Sequence, residues 1–383
     1  MNKISKERIK LKAYDLGIDL IGFANPDCLK NYKDLLVERE KLNLSCSIEE
    51  NDLERRINPY LILEDVKTII SVAISYNIEF DFDKECKNCG IISKSAWGID
   101  YHIVLKEKMD MLVEFIKFYC EDLKAVSLVD NNPLLERAIA HSAGIGWFGK
   151  NNLIINDEYG SYIFLGEILI NKFFVPDQPQ DSKCGDCNLC LKACPTKALI
   201  EPYKINSNKC LSYATINKEI LDKEIMIKIG RRLYGCDTCQ QVCPYNQKAR
   251  KVFHSEFIPK KLMPMYDINK ILTMSNLEFD MVFGNTSASW RGKNIIIRNA
   301  VIICGNIKSK ECINYLMNLL NSKSPVLRGY SFYSIIRIFG IQIYDEIKNF
   351  FFDEKDEKAK NIMNKALELL KGDEKHVNKR GNN

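Results

Sequence analysis

Two cysteine arrays constrain this chain more than any other feature of its sequence. The first is a complete C-x2-C-x2-C-x3-C-P array at residues 184–195. The second ends at Pro244 and repeats the pattern without its first cysteine, because Leu233 stands at that position. Cys210 lies upstream and can supply the missing thiolate. In such arrays three cysteines ligate one cubane cluster, and the cysteine before proline ligates the other.

The pattern therefore predicts two [4Fe–4S] clusters with eight thiolate ligands. The predicted ligands of one cluster are Cys184, Cys187, Cys190 and Cys243. Those of the other are Cys194, Cys210, Cys236 and Cys239. A zinc ribbon is an alternative, but zinc sites usually pair C-x2-C ligands without a terminal proline. A disulfide framework is unusual in a chain without a secretory signal.

The other cysteines are less informative. Cys86 and Cys89 form a third C-x2-C pair, which could be a redox pair, part of a metal site or two loop cysteines. Nothing nearby in the sequence completes a ligand set for this pair. The isolated cysteines, predicted to be buried as small apolar side chains, are Cys28, Cys46, Cys120, Cys304 and Cys312.

Length and composition agree with a cytoplasmic redox enzyme of two or three domains. The chain has 383 residues, of which 46% are hydrophobic, enough to form several cores. It contains no run of about 18 apolar residues and no apolar secretory segment, so neither membrane insertion nor export is expected. The net charge of +5 is modest, so a nucleic acid would have to meet a local basic patch.

The order of helix and strand patterns predicts a multidomain α/β + α protein. Residues 1–172 are expected to form an α/β domain, followed by a ferredoxin-like double-cluster module at 173–250. Residues 251–371 are predicted to be helical, and 372–383 to be a disordered polar tail. The predicted strands of the first segment are 18–24, 67–76 and 124–130, and its predicted helices are 2–16, 101–119 and 134–142.

The helical segment contains a weak internal repeat, in which the residues around Arg298 recur about 31 residues later, near the period of helical hairpins. HEAT-like hairpins are one interpretation, and an ordinary helical bundle is the other. Basic residues here could line a phosphate-binding face or simply form a solvated surface. They are Arg291, Lys293, Arg298, Lys323, Arg328 and Arg337.

A carboxylate and a glycine-rich loop suggest a second cofactor in the first segment. Asp130 ends a predicted strand, where it could act in catalysis or cap the following helix. Residues 143–152 hold three glycines around Trp147, and glycines let the backbone approach a flat ligand closely. Lys150 and Asn151 offer donors to the polar edge of such a ligand. The G-x4-G-K-S/T order of a phosphate loop is absent.

Several blocks match one known family in residue identity and in order. They are residues 56–59, 97–102, 129–137, 144–151, 160–167 and 210–213, both cysteine arrays, and the Arg-Asn-Ala of the helical segment. On these blocks the chain resembles the epoxyqueuosine reductases over nearly its full length. It departs from the family at Asn131 and Asn132, where a pair of small residues is usual.

The resemblance implies a specific activity. The family reduces epoxyqueuosine, at the wobble position of certain tRNAs, to queuosine; two electrons and two protons are consumed, and the epoxide oxygen leaves as water. Its cofactors are cobalamin and two [4Fe–4S] clusters, through which the cobalamin is reduced. The expected partners are a tRNA anticodon stem–loop and an electron donor of the flavodoxin or ferredoxin type. A monomer without membrane association is expected.

The resemblance also implies roles for single residues. Asp130 aligns with the family's proton donor, a role that requires burial to raise the pKa of its carboxyl group. His102 begins a D-x-H-x-x-G-like pattern, but Leu105 replaces the glycine, so His102 is not expected to ligate cobalt. The expected cobalamin contacts are Arg56, Tyr101, His102, Asp130, Lys150 and Asn151.

Two other interpretations remain open from the sequence. A reductive dehalogenase would share the corrinoid and the clusters, but that class normally carries an export signal and lacks a helical-repeat segment. A simple electron carrier would need only the clusters and would leave the α/β segment without a task.

Overall fold

The computed structural model describes residues 4–380 and the side chains of residues 4–370. It divides into two compact units, each assembled from separate stretches of chain. The first unit comprises Met1–Phe80, Gly98–Cys210 and Asp237–Ile258, and the second comprises Asp81–Trp97, Leu211–Cys236 and Pro259–Asn383. These units differ from the three consecutive segments expected from the sequence, because the cysteine-rich segment contributes residues to both.

The strands in chain order are β1 (Leu20–Ala24), β2 (Thr68–Ser75), β3 (Cys89–Ile92), β4 (Ala125–Leu128), β5 (Trp147–Phe148), β6 (Ile154–Ile155), β7 (Ile163–Ile170), β8 (Leu199–Glu201), β9 (Lys204–Ile205), β10 (Arg232–Tyr234) and β11 (Met265–Asp267). The α-helices are α1 (Lys6–Asp15), α2 (Lys33–Lys41), α3 (Leu53–Ile57), α4 (Tyr101–Tyr119), α5 (Glu136–Ser142), α6 (Leu189–Ala193), α7 (Leu211–Ile216), α8 (Lys223–Ile229), α9 (Thr238–Gln241), α10 (Pro244–Lys248), α11 (Ile268–Thr273), α12 (Asn276–Phe283), α13 (Lys293–Ile307), α14 (Ile313–Leu319), α15 (Pro325–Phe339), α16 (Tyr344–Phe352) and α17 (Glu357–Arg380). Short 3₁₀ helices occur at Pro26–Tyr32, Pro59–Leu61, Lys94–Ala96, Ser207–Lys209, Ser255–Phe257, Ser287–Ser289, Lys310–Cys312 and Gly340–Ile343. No helix within residues 4–380 is both long and apolar enough to cross a bilayer.

An antiparallel sheet of strand order β1-β2-β7-β4 forms the centre of the first unit. Every residue of β2 is buried, as its run of apolar and β-branched residues predicts. The strands β1, β2 and β4 confirm the predictions for 18–24, 67–76 and 124–130, whereas β7 is not among the predicted strands. Because β7 pairs with both β2 and β4, it occupies an interior position of the sheet.

Helices α4 and α5 carry the residues of interest in the first unit. The bounds of α4 confirm the predicted helix at 101–119, and it buries Leu105, Met109, Leu112 and Ile116 at helical spacing. Helix α5 begins at Glu136, two residues later than predicted. It packs closely on the sheet, because a Cβ atom at Gly22 of β1 would overlap the Ala143 carbonyl just after α5. Helix α1 begins after its N-cap Ser5, later than the predicted helix 2–16, whose residues 2 and 3 lie outside the described part of the chain.

The second unit combines a small sheet of order β10-β3-β11 with the C-terminal helices. Helices α13 and α15 are each 15 residues long and pack together. They approach closely at Gly305, where an added Cβ would lie 3.0 Å from the Ser334 hydroxyl. Helix α17 runs on to Arg380, so residues 372–380 are helical where the sequence predicts a disordered tail. Good helix formers such as Lys and Glu account for this continuation, and residues 381–383 lie outside the described part.

The basic residues of the helical segment do not form one phosphate-binding face. Arg298 is 1% exposed and donates to the Ala214 carbonyl at 2.9 Å and to Oδ1 of Asn299 at 2.7 Å. Arg328 is paired with Glu354. The alternative in which Arg298 and Arg328 contact phosphate therefore does not hold, because their guanidinium groups satisfy carbonyl and carboxylate oxygens inside the unit. For Arg298, which is buried, the alternative of a solvated surface does not hold either.

Candidate active site and cluster ligands

Asp130 follows β4 in a left-handed backbone conformation, with φ of 48°. Aspartate and asparagine adopt this region more readily than other non-glycine residues. The Asp130 carboxylate accepts a hydrogen bond from the Tyr101 hydroxyl at 2.9 Å, and its Oδ2 lies 3.3 Å from Nε2 of His102. The N-cap residue of α5 is Leu135, so the interpretation of Asp130 as a helix cap is wrong.

Glu136 fixes the loop that carries Asp130. Its Oε1 accepts a hydrogen bond from the Asp130 backbone N–H at 2.5 Å and lies 3.4 Å from Nδ2 of Asn132. Oδ1 of Asn132 in turn accepts from the Leu134 N–H at 2.9 Å. The asparagine that departs from the family pattern is thus part of the hydrogen bonding that holds this turn.

The N-terminus of α4 presents Tyr101 and His102 to the Asp130 carboxylate. Asp100 is the N-cap, and its Oδ1 accepts from the His102 backbone N–H at 3.1 Å and lies 2.7 Å from Nδ1 of the same residue. The Tyr101 ring stacks on Phe164 with a centroid distance of 4.2 Å and an interplanar angle of 5°. The Asp-x-His sequence therefore serves as a helix cap that leaves the imidazole between two carboxylates.

The charges in this group determine where its protons reside. Burial opposes protonation of His102, but its hydrogen bond to Asp100 and the nearby Asp130 carboxylate raise its pKa to about 9. Burial alone would raise the pKa of Asp130, yet the nearby His102 and the hydrogen bond from Tyr101 outweigh it and bring that pKa below its ordinary value. The condition for a proton donor at Asp130, that burial raise its pKa, is therefore not met in this arrangement. The raised pKa of His102 favours a proton on its imidazole instead.

Two further carboxyl groups lie near Asp130, and the sequence analysis did not identify either as part of the site. Glu167 in β7 is fully buried, and neither of its carboxyl oxygens has a hydrogen-bond partner within the described residues. Burial, followed by the proximity of Glu136 and Asp130, raises the pKa of Glu167. Burial and the Asp130 charge likewise raise the pKa of Glu136. An ionisable residue inside the apolar run Ile163–Ile170 is the sequence signal that could have identified Glu167.

The Asp130 side chain reaches solvent. It is 55% exposed, although burial by the surrounding protein is the largest influence on its pKa. Arg137 is exposed as well and donates to the Asn152 carbonyl of the glycine-rich loop at 2.5 Å. Arg56 lies 3.6 Å from Glu49, which interacts electrostatically with Arg137. Guanidinium groups suit the amide and phosphate groups of a large cofactor.

Four predicted ligands of the first cluster meet around one cavity of about 90 Å³ in the first unit. They are Cys184, Cys187, Cys190 and Cys243. Burial raises the pKa of Cys190, and the neighbouring thiols add to this effect. The Nδ2 atom of Asn151 and the Nε1 atom of Trp147 are buried without a hydrogen-bond partner in the described part of the chain. Unused N–H donors beside clustered thiolates fit a sulfur-rich cluster, whose potential depends on such hydrogen bonds.

Lys150 and Asn151 lie beside this cysteine cavity, which they help to line. Nζ of Lys150 donates to the Gly185 carbonyl at 2.5 Å and lies 3.3 Å from Oδ1 of Asn188. The structure therefore joins these two residues to the cluster ligands, whereas it brings Tyr101, His102 and Asp130 together as a separate group.

The predicted ligands of the second cluster are divided between the units. Cys194, Cys210 and Cys239 belong to the first unit. Cys236 belongs to the second unit, as the last residue of the stretch Leu211–Cys236. Sγ of Cys194 lies 3.8 Å from the Thr196 hydroxyl, and Sγ of Cys236 accepts from Nε of Arg232 at 3.2 Å. This ligand set remains a prediction.

Two family models match the chain over the two regions just described. Residues 183–246, which contain all eight predicted cluster ligands, match a 4Fe-4S double cluster binding domain. Residues 56–131, which contain Arg56, Tyr101, His102 and Asp130, match the model described as epoxyqueuosine reductase QueG, DUF1730. Fold, cysteine arrays and family models together define an iron–sulfur oxidoreductase.

Similar proteins specify the family. The chain is 40% identical over 370 residues to an epoxyqueuosine reductase of Bacillus subtilis (strain 168). The alignment covers 96% of this chain and 96% of that protein. A crystal structure of epoxyqueuosine reductase with an epoxyqueuosine-modified tRNA-Tyr stem loop matches with a TM-score of 0.91 at 39% identity, over 96% of this chain and 98% of that one. A Bacillus subtilis structure with its aspartate catalytic loop swung out of the active site gives a TM-score of 0.91 at 39% identity, over 95% and 98%. The chain belongs to the epoxyqueuosine reductase family.

Proposed function

We propose that this chain reduces epoxyqueuosine to queuosine at the wobble position of tRNA, with cobalamin and two [4Fe–4S] clusters as cofactors. The observation that carries the proposal is the Asp130 carboxylate, placed between Tyr101 and His102 with its side chain 55% exposed. The same unit contains the cavity lined by four cluster cysteines. Family membership supports the choice of substrate, since a related enzyme is known with an epoxyqueuosine-modified tRNA stem loop.

The overall reaction needs two electrons and two protons. Both epoxide carbon–oxygen bonds break, a carbon–carbon double bond forms between the two carbons, and the oxygen leaves as water. The clusters supply single electrons at low potential. Bound cobalamin supplies a strongly reducing cobalt centre that can pass an electron pair to the substrate.

The residues of this chain supply and direct a proton. His102 holds it because Asp100 and Asp130 flank its imidazole. The proton passes from Nε2 of His102 to Oδ2 of Asp130 and then to the departing oxygen. A carboxyl group whose pKa is held low is a strong acid once it carries the proton, which favours transfer to an alkoxide. Glu136 acts as a positioning residue, because it fixes the backbone at Asp130.

Cobalamin would be held beside Asp130 by polar residues of the first unit. Arg56 and Arg137 offer guanidinium groups. The Nδ2 atom of Asn152 is buried without a hydrogen-bond partner within the described residues and can donate to a corrin amide. Lys150 and Asn151 would contact the cofactor only from the cluster side.

The remaining assignments extend the same proposal. Helices α13 to α16 are HEAT-like hairpins, which the equal lengths and close packing of α13 and α15 support. The electron donor is a flavodoxin or ferredoxin, and the enzyme acts as a cytoplasmic monomer on the anticodon stem–loop.

An anaerobic assay tests the proposal. The cluster-reconstituted protein is incubated with cobalamin, a strong reductant and an epoxyqueuosine-containing stem–loop, and the nucleosides are analysed by mass spectrometry. Cobalamin-dependent loss of one oxygen atom is the expected result. Unchanged RNA, with corrinoid bound and both clusters intact, would instead favour a corrinoid-dependent reductase of a small molecule.

A further inference from the structure

Glu167 of β7 is a buried acid that the mechanism above does not use. It is 0% exposed, and both of its carboxyl oxygens lack a hydrogen-bond partner among the described residues. The hydroxyl of Ser71, which is also 0% exposed, lacks one as well. Ser71 lies directly opposite Glu167 in the pairing of β2 with β7. Residues in that relation share a face of the sheet, with Cβ atoms about 5 Å apart. The two polar side chains therefore occupy one buried region.

This buried region lies under helix α5. Gly22 of β1 is opposite Ser71, and its added Cβ would lie 2.0 Å from the Ala143 carbonyl just after α5. Gly166, one residue before Glu167, would direct a Cβ to within 2.9 Å of a methionine of α4 on the other face. Side chains alternate between the two faces along a strand. Glu167 therefore points toward α5 and away from α4.

The same row of the sheet leads to Asp130. Glu167 is opposite Leu128 of β4, and Asp130 follows Leu128 by two residues. Glu136, the first residue of α5, accepts a hydrogen bond from the Asp130 backbone N–H at 2.5 Å. Its charge acts on Glu167 more strongly than that of Asp130 does. Glu136 is therefore the neighbour of both the buried acid and the exposed carboxylate.

The surroundings of both glutamates favour the protonated form. Burial is the largest influence that raises the pKa of Glu167, followed by the charges of Glu136 and Asp130. Burial and Asp130 likewise raise the pKa of Glu136, against smaller opposing effects of the Asp130 N–H, Arg137 and His102. A carboxylate at Glu167 would be a buried charge without a partner, which is an unfavourable state. Each glutamate is therefore expected to carry a proton in the resting protein.

The proposed reaction needs a second proton that the His102–Asp130 pair does not hold. Opening of the epoxide ring takes the first proton and leaves a hydroxyl on one of the two ring carbons. That hydroxyl departs as water only when it gains another proton, as the two supplied electrons complete the carbon–carbon double bond. After the first transfer His102 is neutral and Asp130 is ionised again. Another acid must therefore reload Asp130.

We propose that Glu167 and Glu136 supply the second proton and that it reaches the substrate through Asp130, an inference that rests on the proposed function. Glu136 gives its proton to the Asp130 carboxylate, which passes it to the departing hydroxyl. The two glutamates then share the one proton that remains, because neighbouring carboxylates do not both ionise readily. Solvent restores the missing proton through Asp130 after the product leaves.

Glu167 is a positioning residue in this reaction, since it acts through Glu136 and does not touch the substrate. The unpartnered polar atoms of Glu167 and Ser71 are suitable surroundings for an internal water molecule. Such a water can carry a proton between the two glutamates. The buried acid thus serves as a reserve that keeps Glu136 protonated.

Infrared spectroscopy tests where the resting proton lies. The C=O stretch of a protonated carboxyl group is separate from the bands of a carboxylate. The cluster-containing protein at neutral pH should show a protonated carboxyl band that is absent from Glu167→Gln. Glu167→Asp retains an acid at this position and should retain a band of this kind. The measurement needs neither substrate nor turnover.

Steady-state kinetics of the same variants test the second proton. Ring opening is taken as the first irreversible step, so kcat/KM reports the first proton, whereas kcat also includes the departure of water. Glu167→Gln should therefore lower kcat about 10²-fold and leave kcat/KM within about twofold, so that KM falls with kcat. Glu167→Asp should recover most of kcat, because it restores an acid.

Glu114→Gln is the matched control for Glu167→Gln. It makes the same substitution in α4, at a side chain that is 69% exposed and paired with Lys117. Its infrared band, kcat and kcat/KM should all be those of the unaltered protein.

Three results would overturn the inference. They are a protonated carboxyl band that Glu167→Gln retains, an unaltered kcat in that variant, or a fall of kcat and kcat/KM by the same factor, as a merely structural role would give. If Glu167→Gln fails to fold, Glu167→Asp decides, since an acid that does not support kcat contradicts a proton reserve. Unchanged RNA with the unaltered protein would remove the proposed function and this inference with it. An unaltered kcat in Glu167→Gln would remove this inference alone.

Discussion

Nε2 of His102 lies 3.3 Å from Oδ2 of Asp130, and in the proposed mechanism this pair holds the proton that the reaction consumes. Burial disfavours a charged imidazole, but Asp100 and Asp130 outweigh it and raise the pKa of His102 to about 9. The histidine is consequently protonated at neutral pH, while Asp130 is ionised and ready to receive the proton. In the proposed mechanism a proton donor and a relay are thus adjacent before any substrate binds.

Asp130→Asn should reduce turnover by about 10²–10⁴-fold, because the amide cannot relay a proton. Asparagine tolerates the left-handed backbone, so the loop should persist. Cobalamin binding and iron content are expected to remain those of the unaltered protein. Single-turnover nucleoside analysis measures the loss, with Asp122→Asn as a control at a side chain that is 81% exposed. Unaltered rates in Asp130→Asn would remove this carboxylate from the mechanism.

The pH dependence of kcat/KM should report on His102. The rate is expected to fall as pH rises through about 9, because the imidazole then loses its proton. His102→Gln should lower the rate and abolish this alkaline limb. His141→Gln, at a histidine whose Nε2 contacts the Gln180 carbonyl, should retain it. An alkaline limb that persists in His102→Gln would assign it to another group.

The raised pKa of His102 also predicts how the free energy of unfolding depends on pH. Its pKa in the folded protein lies above its ordinary value of 6.5, so its favourable contribution is complete below pH 6.5 and is lost as pH rises to about 9. Thermal unfolding across this range should therefore show a decline that is smaller in His102→Gln. Equal declines in both proteins would contradict the assigned ion pair.

Cys210→Ala should disrupt one cluster and leave the other intact, because Cys210 is the upstream cysteine predicted to supply the thiolate that Leu233 cannot. Iron should drop from about eight toward about four atoms per chain. Cys120→Ala, at a buried cysteine outside both arrays, is the control. If Cys210→Ala keeps its full iron content and its electron paramagnetic resonance spectrum, another residue completes the set.

The Arg328–Glu354 pair should stabilise the second unit in a pH-dependent way. Nε and Nη2 of Arg328 lie 2.7 and 2.8 Å from the two carboxylate oxygens of Glu354. Arg328 is the main cause that lowers the pKa of Glu354 to about 2. Glu354→Gln should therefore reduce the free energy of unfolding by about 2 kcal/mol at neutral pH.

This stabilisation is present above the ordinary Glu354 pKa of 4.5 and is lost as pH falls toward about 2. The difference between Glu354→Gln and the unaltered protein should shrink over that range in thermal unfolding. Asp345→Asn removes the ion pair between Asp345 and Lys348, in which the Asp345 carboxylate is 85% exposed. It should change the free energy of unfolding by less than about 1 kcal/mol. A difference that is constant with pH would show that packing, rather than charge, is responsible.

The sequence predicts features whose causes are local along the chain. Apolar residues at helical spacing predict α4 within its observed bounds, and a continuous apolar run predicts β2. The array spacing likewise groups Cys184, Cys187 and Cys190 with Cys243, and these four line one cavity.

Features that depend on contacts between distant residues could not be predicted. The charge of Arg298 suggests an exposed side chain. Its guanidinium group is instead buried against carbonyl groups of α7 and of the turn that follows α7. The pKa of Asp130 depends on His102, which α4 contributes. Cys304 and Cys312 are buried as predicted, yet the contacts of Cys312 with Asn88 and Asn269 depend on the packing of segments that are distant in the chain.

The left-handed backbone at Asp130 also restricts which substitutions this position can tolerate. At φ of 48°, aspartate, asparagine and glycine are the residues that fit with little strain. Among these three, aspartate alone is an acid. Glutamate, which replaces aspartate at many acidic sites, would be disfavoured here by the turn rather than by its chemistry. A variant selected to regain activity after loss of Asp130 should therefore recruit an acid from another position in the chain.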